Sequence, residues 1–326
     1  MSVLVTGAAG FAGGHLLDLL TADGVDVFGW YRPGRGAPPD RPHVTWQPVD
    51  IVDAPAVRHA IAAIRPDAVY HCAGAAHVGK AWDNTASTLE INVIGTHNLL
   101  DGLRRAGVRA KIVIPSSSLV YQSSGDVLNE DHPLVPQSPY ALSKLAQEMV
   151  GLRARDDGQH VTVARSFNHI GPRQDPYFAA SGFARRIADI EAGTWDPELA
   201  VGNLDARRDI HDVRDTVRAY RLILERGVDG RAYNVCSGRA ISIRALLDKL
   251  LARARVPISV RVDPARLRPN DVPLLLGDPT RLTTELGWLP EIDLDQTVDD
   301  LLGYWRMIAG EEKANHAGHP VRSREP

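Results

Sequence analysis

The sequence predicts an α/β fold, a doubly wound parallel sheet followed by a smaller C-terminal α/β domain. Three observations carry that prediction. An apolar run at the start of the chain opens into closely spaced glycines and then a helical pattern. Apolar strand-like runs and helical patterns alternate through the first half, as a parallel sheet with crossover helices requires. Residues suited to binding recur at the ends of those runs, where open α/β sheets hold ligands.

Ser2–Thr6 is the first strand, and Gly7, Gly10 and Gly13 follow it at GxxGxxG spacing. Helical spacing then runs from Phe11 to Ala22, and Asp23 and Gly24 end it. Gly7 permits a tight turn, Gly10 lets the backbone approach a pyrophosphate, and Gly13 lets helix pack on strand. The first helical turn, Phe11 and Ala12 included, offers free N–H groups to phosphates. Asp26–Trp30 is the second strand, ending at Tyr31 and Arg32. Folds that prefer NAD place an acid here, against the ribose hydroxyls. No carboxylate stands here to repel a 2′-phosphate, and Arg32 is there to pair with it, so NADP(H) is favoured over NAD(H).

Val44–Pro48 is the third strand, and Asp50, beside Ile51, is placed to accept from an adenine amino group. A helix is expected from Asp53 to Ile64, then a fourth strand over Ala68–Cys72. Ala73, Gly74 and Ala75 follow, small enough for a ribose and pyrophosphate to lie close to the backbone. A long helix is expected over Ala86–Ala106 and a fifth strand over Lys111–Ser116. Gly7, Arg32, Asp50, Ala73 and Ser117 all fall at carboxyl ends of strands, and that agreement outweighs any single motif.

Pro139 starts the next helix, with Tyr140 in its first turn and Lys144 four residues on, on the same face. If the serine run Ser116–Ser118 meets that helix start, a hydroxyl, a phenol and an ammonium converge. A free phenol titrates near pH ~10; a neighbouring ammonium and a helix N-terminus both favour its ionised form. Tyr140 could then exchange a proton with a substrate oxygen while hydride passes to or from nicotinamide. Ser117 would hold that oxygen, and Lys144 would also reach the nicotinamide ribose. No metal is required, and His71, His77, His169 and His211 are too scattered to read as a zinc site. Tyr-x-x-x-Lys alone is common by chance; its context gives it weight.

Val161–Arg165 is the sixth strand. Beyond Pro172 the expected elements are a helix over Phe183–Ala192, a strand over Glu198–Val201, and a helix over Val213–Arg226. Then come a strand over Arg231–Cys236, a helix from the N-cap Ser242 through Leu251, a strand over Ile258–Val262, and a helix over Pro279–Leu286. From about Gly310 the composition turns to Glu, Lys, Asn, His, Arg and Pro without periodicity, and residues 311–326 read as a disordered tail. The Pro- and Gly-rich segment Arg32–Pro42 is a loop.

Composition excludes several function classes. With 326 residues, 44% hydrophobic and 24% charged, the chain can bury an ordinary globular core. A net charge of −3 gives no global field for nucleic acid or an acidic membrane. Cys72 and Cys236 each lie in an apolar run and read as reduced core residues of a cytoplasmic protein. No apolar stretch approaches the ~20 residues that span a bilayer. No signal peptide is apparent.

The glycine-rich stretch Thr6–Gly13, the serine run before Tyr121 and the Tyr140–Lys144 motif resemble the extended short-chain dehydrogenase/reductases that act on nucleotide sugars, from Val3 to about Trp305. Arg165–Pro172, Gly202–Asp209, Arg268–Pro273 and Gly277–Pro279 are similar to the branch holding GDP-mannose 4,6-dehydratase and GDP-4-keto-6-deoxymannose reductase. The resemblance implies a Rossmann-like NADP(H) domain over residues 1–167 and a mainly substrate-binding domain over 168–310, with crossings between them. It makes Ser117, four residues before Tyr121, the catalytic serine. It sets Asn168 and His169 between nicotinamide and substrate, and Arg208 and Arg268 on the diphosphate, where forked guanidinium contacts suit paired phosphates. It also implies a homodimer in which the helices around Asn92–Arg105 and Tyr140–Arg155 form a four-helix bundle.

Dehydratases of this branch carry a carboxylate two residues after the catalytic Ser/Thr. This chain has Leu119 there, which cannot act as a base, and Glu130 and Asp131 lie in a loop beyond. The leading expectation is therefore an NADPH-dependent C4 reductase of a GDP-4-keto-6-deoxyhexose, giving GDP-D-rhamnose or GDP-6-deoxytalose. The alternatives are an NDP-sugar 4-epimerase, a GDP-mannose 4,6-dehydratase and, from another class, a cofactor-sensing binding protein without turnover. Gln122, where a glycine is usual, departs from the pattern and leaves the sugar open.

Overall fold

The structure is a computed structural model that describes residues 1–34, 36–123, 125–266 and 272–317. The N-terminal half lays down β1 (Val3–Thr6), α1 (Phe11–Ala22), β2 (Val27–Tyr31), β3 (Val44–Pro48), α2 (Ala54–Ile64) and β4 (Ala68–His71). Short helices α3 (Val78–Asp83) and α4 (Thr85–Leu89) lead through a π-helical turn, Glu90–Ile94, into α5 (Gly95–Arg105). Then come β5 (Lys111–Ser117), the two-residue β6 (Val127–Leu128), α6 (Pro139–Arg153) and β7 (His160–Ser166). The chain continues with β8 (Asn168–Ile170), α7 (Ala179–Glu191), β9 (Glu198–Val201), β10 (Arg207–Asp212), α8 (Val213–Arg226) and β11 (Ala232–Val235). It ends with β12 (Ala240–Ser242), α9 (Ile243–Leu251), β13 (Ser259–Val262), β14 (Leu274–Gly277), α10 (Thr280–Leu286) and α11 (Leu294–Ala317).

Seven strands form a parallel sheet in the order β11-β7-β5-β4-β1-β2-β3. Alternation along β1 sends Val3 and Val5 to one face and Leu4 to the other. Val3 and Val5 join Leu16, Leu20, Tyr220, Ile223 and Trp288 under α1 and α8. Leu4 joins Trp30, Ile61, Leu99, Leu103 and Ile114 under α2 and α5. A second sheet, β12-β10-β14-β6 with β8 beside β10, and the pair β13-β9 lie apart from the first. A third cluster, with Ile187, Leu250, Leu301 and Trp305, packs α7, α9 and α11 together. The chain returns from β10 to place β11 on the edge of the large sheet beside β7.

Local chemistry sets the helix starts. Asp53 accepts from the Ala56 N–H at 3.0 Å, Ser138 from Ala141 at 3.1 Å and Ser242 from Ala245 at 3.0 Å, each an N-cap. Pro139 sits at the first helical position of α6, where its missing N–H costs nothing. At α1 the cap is Gly10, with no side-chain bond, so that helix opens with its N–H groups unclaimed by a side chain.

Two expected elements change. The single helix over Ala86–Ala106 is interrupted by the π turn, where an extra residue is accommodated around the buried Asn92. Residues 311–317, expected to be disordered, continue α11. Glu312 pairs with Arg185, and Lys313 donates to the Ala192 carbonyl at 2.9 Å, so α7 holds a stretch whose own composition does not specify a helix. Residues 318–326 lie outside the described part. Among the described residues no helix is long and apolar enough to cross a membrane.

Two histidines are core residues. His71 is 1% exposed and His211 3% exposed, and burial lowers both to a pKa of about 3. Both stay neutral in the fold, whereas an unfolded histidine titrates near ~6.5. Their contribution is complete above that value and is lost as the pH falls towards 3, at about 1.4 kcal/mol per pH unit for each. Urea unfolding from pH 7.5 down to 4.5 is expected to reveal that slope, and the double variant His71→Asn/His211→Asn to flatten it. Gly13→Ala sets a Cβ 2.3 Å from the Gly7 carbonyl oxygen and 3.0 Å from Ala8 Cα, backbone atoms that cannot yield cheaply. It is expected to cost about 1–3 kcal/mol, read as a lowered Tm.

Candidate active site

The parallel strands of the large sheet all end on one edge, and residues that follow several of them line it. The glycine turn comes after β1. Gly7 has φ +64°, and a Cβ there would lie 2.6 Å from the Ala73 N–H nitrogen, so only glycine lets the turn after β1 meet the loop after β4. Thr6 Oγ1 accepts from that same Ala73 nitrogen at 3.1 Å. Phe11 lies stacked on His169, ring centroids 5.8 Å apart and planes 10° from parallel. His169 Nδ1–H donates to the Phe167 carbonyl at 3.1 Å, and burial lowers its pKa. His169 and His211, far apart in sequence, are register partners on β8 and β10.

The serine run emerges from β5. Ser117 Oγ accepts from the Leu119 N–H at 3.2 Å, and its hydroxyl stands close enough to the Tyr140 phenol to draw that group's pKa down. Ser117 and Tyr140 are thus neighbours in the fold. Burial pushes the Tyr140 phenol up, and the nearby Ser117 hydroxyl acts against it. The sequence-based account of this phenol is corrected here: Lys144 is not what shifts it. The Lys144 ammonium donates to the Pro115 carbonyl at 2.5 Å and to Gln147 Oε1. Burial lowers its pKa to about 8, against the pull of Glu148 and Cys72. Tyr140 is therefore a protonated phenol, and Lys144 a cation at neutral pH.

Beneath the serines lies a buried ion pair that sequence reasoning missed. Arg165 on β7 and Glu148 on α6 are 7% and 2% exposed and meet at 2.9 Å. Glu148 also accepts from Ser116 Oγ. Arg165 Nη1 donates to the Tyr121 hydroxyl and the Glu130 carbonyl, both at 3.1 Å, and Tyr121 donates to Asn234 Oδ1 at 2.6 Å. Glu130, one of the loop acids, is occupied: it accepts from the Asn234 N–H at 2.8 Å. Leu119 packs against Tyr121, Leu128, Phe167 and Leu275.

Asn92 was also missed as a site residue. Its Oδ1 accepts from the Ala75 N–H at 2.7 Å. Its Nδ2 donates to Ser143 Oγ at 2.8 Å, and Ser143 donates on to the Tyr140 carbonyl at 2.7 Å. The π turn thereby ties the Ala73–Ala75 loop to the start of α6. Gly74 is required beside it, since a Cβ would sit 3.0 Å from Asn92 Oδ1.

The remaining expected residues fare unevenly. Arg32 is exposed and lies 3.7 Å from Asp50, so two residues read separately are partners. Ile51 is corrected from a ligand contact towards a core role: its side chain is buried against Gly95, and its carbonyl accepts from Asn98 at 3.0 Å. Asn168 is exposed at the start of β8. Arg208 Nη1 donates to the Val272 carbonyl at 2.6 Å. Arg268 lies outside the described residues. Two unexpected arginines, Arg41 and Arg173, flank the glycine turn, both paired with Asp18 on α1.

A dinucleotide fits what is present. The bare glycine cap of α1, the close approach at Gly7 and the small residues Ala73–Ala75 leave backbone rather than side chains along the strand ends.

Comparison with known proteins agrees with the geometry. A family model described as GDP-mannose 4,6 dehydratase matches residues 4–301. The chain is 36% identical over 322 residues to a GDP-6-deoxy-D-mannose reductase of Pseudomonas aeruginosa, covering 95% of this chain and 99% of that protein. It is 28% identical to a GDP-mannose 4,6-dehydratase of Vibrio cholerae, covering 92% of each. Among solved structures, RMD from Pseudomonas aeruginosa complexed with NADPH superposes with a TM-score of 0.82 at 33% identity, over 94% of this chain and all of that one. A Thermus thermophilus UDP-glucose 4-epimerase in complex with NAD gives 0.83 at 29% identity, over 94% of this chain and 99% of the other. With these residues, this sheet and these relatives, the chain belongs to the GDP-mannose 4,6 dehydratase family, whose members are NAD(P)-dependent enzymes of the short-chain dehydrogenase/reductase type acting on nucleotide sugars.

Proposed function

We propose that the protein is an NADPH-dependent reductase that converts the C4 carbonyl of a GDP-4-keto-6-deoxyhexose to the alcohol, yielding GDP-D-rhamnose or GDP-6-deoxytalose. One observation carries the choice within the family: Leu119, packed against apolar side chains, stands where dehydratases of this branch carry a carboxylate, while Ser117 and Tyr140 remain neighbours. NADPH, when bound, supplies the hydride to C4. Tyr140, kept protonated by burial, gives its proton to the C4 oxygen, and Ser117 donates a hydrogen bond to that oxygen. The Lys144 cation sits one helical turn away, held by the Pro115 carbonyl and Gln147, and would reach the nicotinamide ribose. Electrons and protons balance: one hydride and one proton enter, and one alcohol leaves.

In this reading residues 1–167 form the NADP(H) half, where Gly7, Gly10, Phe11, Ala12, Gly13, Arg32, Asp50, Ala73, Gly74, Ala75, Tyr140 and Lys144 surround the cofactor, joined by His169 from β8. Residues 168–310 bind mainly the sugar nucleotide, through Asn168, Arg208 and Arg268. A homodimer would bury the exposed Leu142 and Met149 of α6 and the exposed Ile94 before α5.

Purified protein supplied with GDP-4-keto-6-deoxymannose is expected to oxidise NADPH faster than NADH, with a C4 alcohol identified by NMR. Oxidation of neither cofactor overturns the reading. A 4-keto product from GDP-mannose without net NADPH use would make it a dehydratase, and turnover on retained NAD alone an epimerase. Tyr140→Phe is expected to lower kcat about 10²–10⁴-fold with little change in NADPH affinity, measured by stopped-flow absorbance and fluorescence titration.

A further inference from the structure

We propose that Gln147 is a positioning residue for Lys144, the end of a closed hydrogen-bond chain that fixes the ammonium relative to the glycine turn. The proposal rests on the reading of Lys144 as part of the active site. Five side chains form the chain, and its direction follows from counting donors. Thr6 Oγ1 accepts from the Ala73 N–H at 3.1 Å, and its own proton goes to His71 Nδ1 at 2.8 Å. His71 must then carry its proton on Nε2, which donates to Thr96 Oγ1 at 2.8 Å. Thr96 gives its hydroxyl proton to the Asn92 carbonyl at 2.7 Å, leaving two lone pairs. His71 fills one, and the Gln147 Nε2–H fills the other at 2.9 Å. That fixes the amide of Gln147: its nitrogen faces Thr96, so its oxygen faces Lys144 and accepts from the ammonium.

Thr6, His71, Thr96 and Gln147 are fully buried, so no water competes for these groups. An amide cannot pass a proton on, so this chain holds Lys144 rather than feeding it protons. Gln147 and the Pro115 carbonyl are the two acceptors that take the ammonium in this buried place. The titratable groups facing Lys144 are Glu148 on its own helix, His71 at the end of β4 and Cys72 just beyond it. Glu148 is already committed to Arg165 and Ser116. Gln147 is thus the acceptor free to tune the cation.

The chain has only five lysines, at 80, 111, 144, 249 and 313, so lysine-selective ¹³C labelling gives a spectrum in which Lys144→Met identifies one resonance. Titrating that Cε resonance reads the ammonium whatever the substrate proves to be. In Gln147→Leu the cation loses an acceptor, and its midpoint is expected to fall by about one pH unit or more. In Gln147→Glu it gains a carboxylate, and the midpoint is expected to rise by about one unit or more. With GDP-4-keto-6-deoxymannose and NADPH, Gln147→Leu is expected to lose kcat on the order of 10- to 100-fold, and the limb of the pH profile that reports Lys144 to move in opposite directions in the two variants. A packing role would lower Tm in both and leave the midpoints together. Midpoints that stay at the wild-type value, or that move in the same direction, overturn the proposal. A wild-type protein that does not oxidise NADPH overturns the reductase reading instead, and the ¹³C titration still decides the role of Gln147.

Discussion

The Glu148–Arg165 pair is the constraint on which the catalytic face depends. Both ions are nearly inaccessible, and stripping two charges of water costs several kcal/mol per ion unless geometry and further hydrogen bonds compensate. Here they do. Arg165 Nε and Nη2 reach both Glu148 oxygens, and Ser116, Tyr121 and the Glu130 carbonyl take the remaining valences. The pair joins α6 to β7, the strand beside the one that carries Ser117. Tyr140 and Ser117 arise on different elements, and the ion pair sets the distance between those elements. A mismatch of either charge would leave the other buried alone, so the arrangement tolerates little drift.

A second set of contacts works from the opposite side. The π turn, through Asn92, holds the loop after β4 and the first turn of α6. The glycine turn presses on that same loop at Ala73. The surfaces that would receive cofactor and substrate are therefore made of backbone, fixed by polar side chains that face inward. This explains why a Tyr140 phenol raised by burial coexists with a nearby cation: the cation is held by Pro115 and Gln147, within reach of the site but hydrogen-bonded to neither Tyr140 nor Ser117 in this structure.

Much of the fold was legible because its signals are local. The glycine spacing, the alternation of apolar runs and the caps at Asp53, Ser138 and Ser242 each act within a few residues. The residues missed act across distance. Gln147 and Glu148 lie three and four positions beyond Lys144, on the same helical face, and that spacing was the available signal. Nothing local marks Arg165 as the partner of Glu148, or Asn92 as the fastener of a loop seventeen residues earlier. The terminal helix was missed for the same reason. Residues 311–317 lack an apolar stripe, and what holds them is a glutamate and a lysine meeting α7. Arg32 and Asp50 were each read for a ligand and in fact face one another, a pairing that strand order creates and sequence distance hides.

The π turn at Glu90–Ile94 has a geometric corollary. It packs one residue more into a turn than an α-helix does, so everything after it is rotated by roughly 100° relative to an uninterrupted helix. That phase brings Asn92 inward and decides which stripe of α5 lies beside α6 and which stripe looks outward. A single extra residue thus sets two surfaces at once, the floor of the site and the outer helical face, and a family member that lost it could not keep both in place.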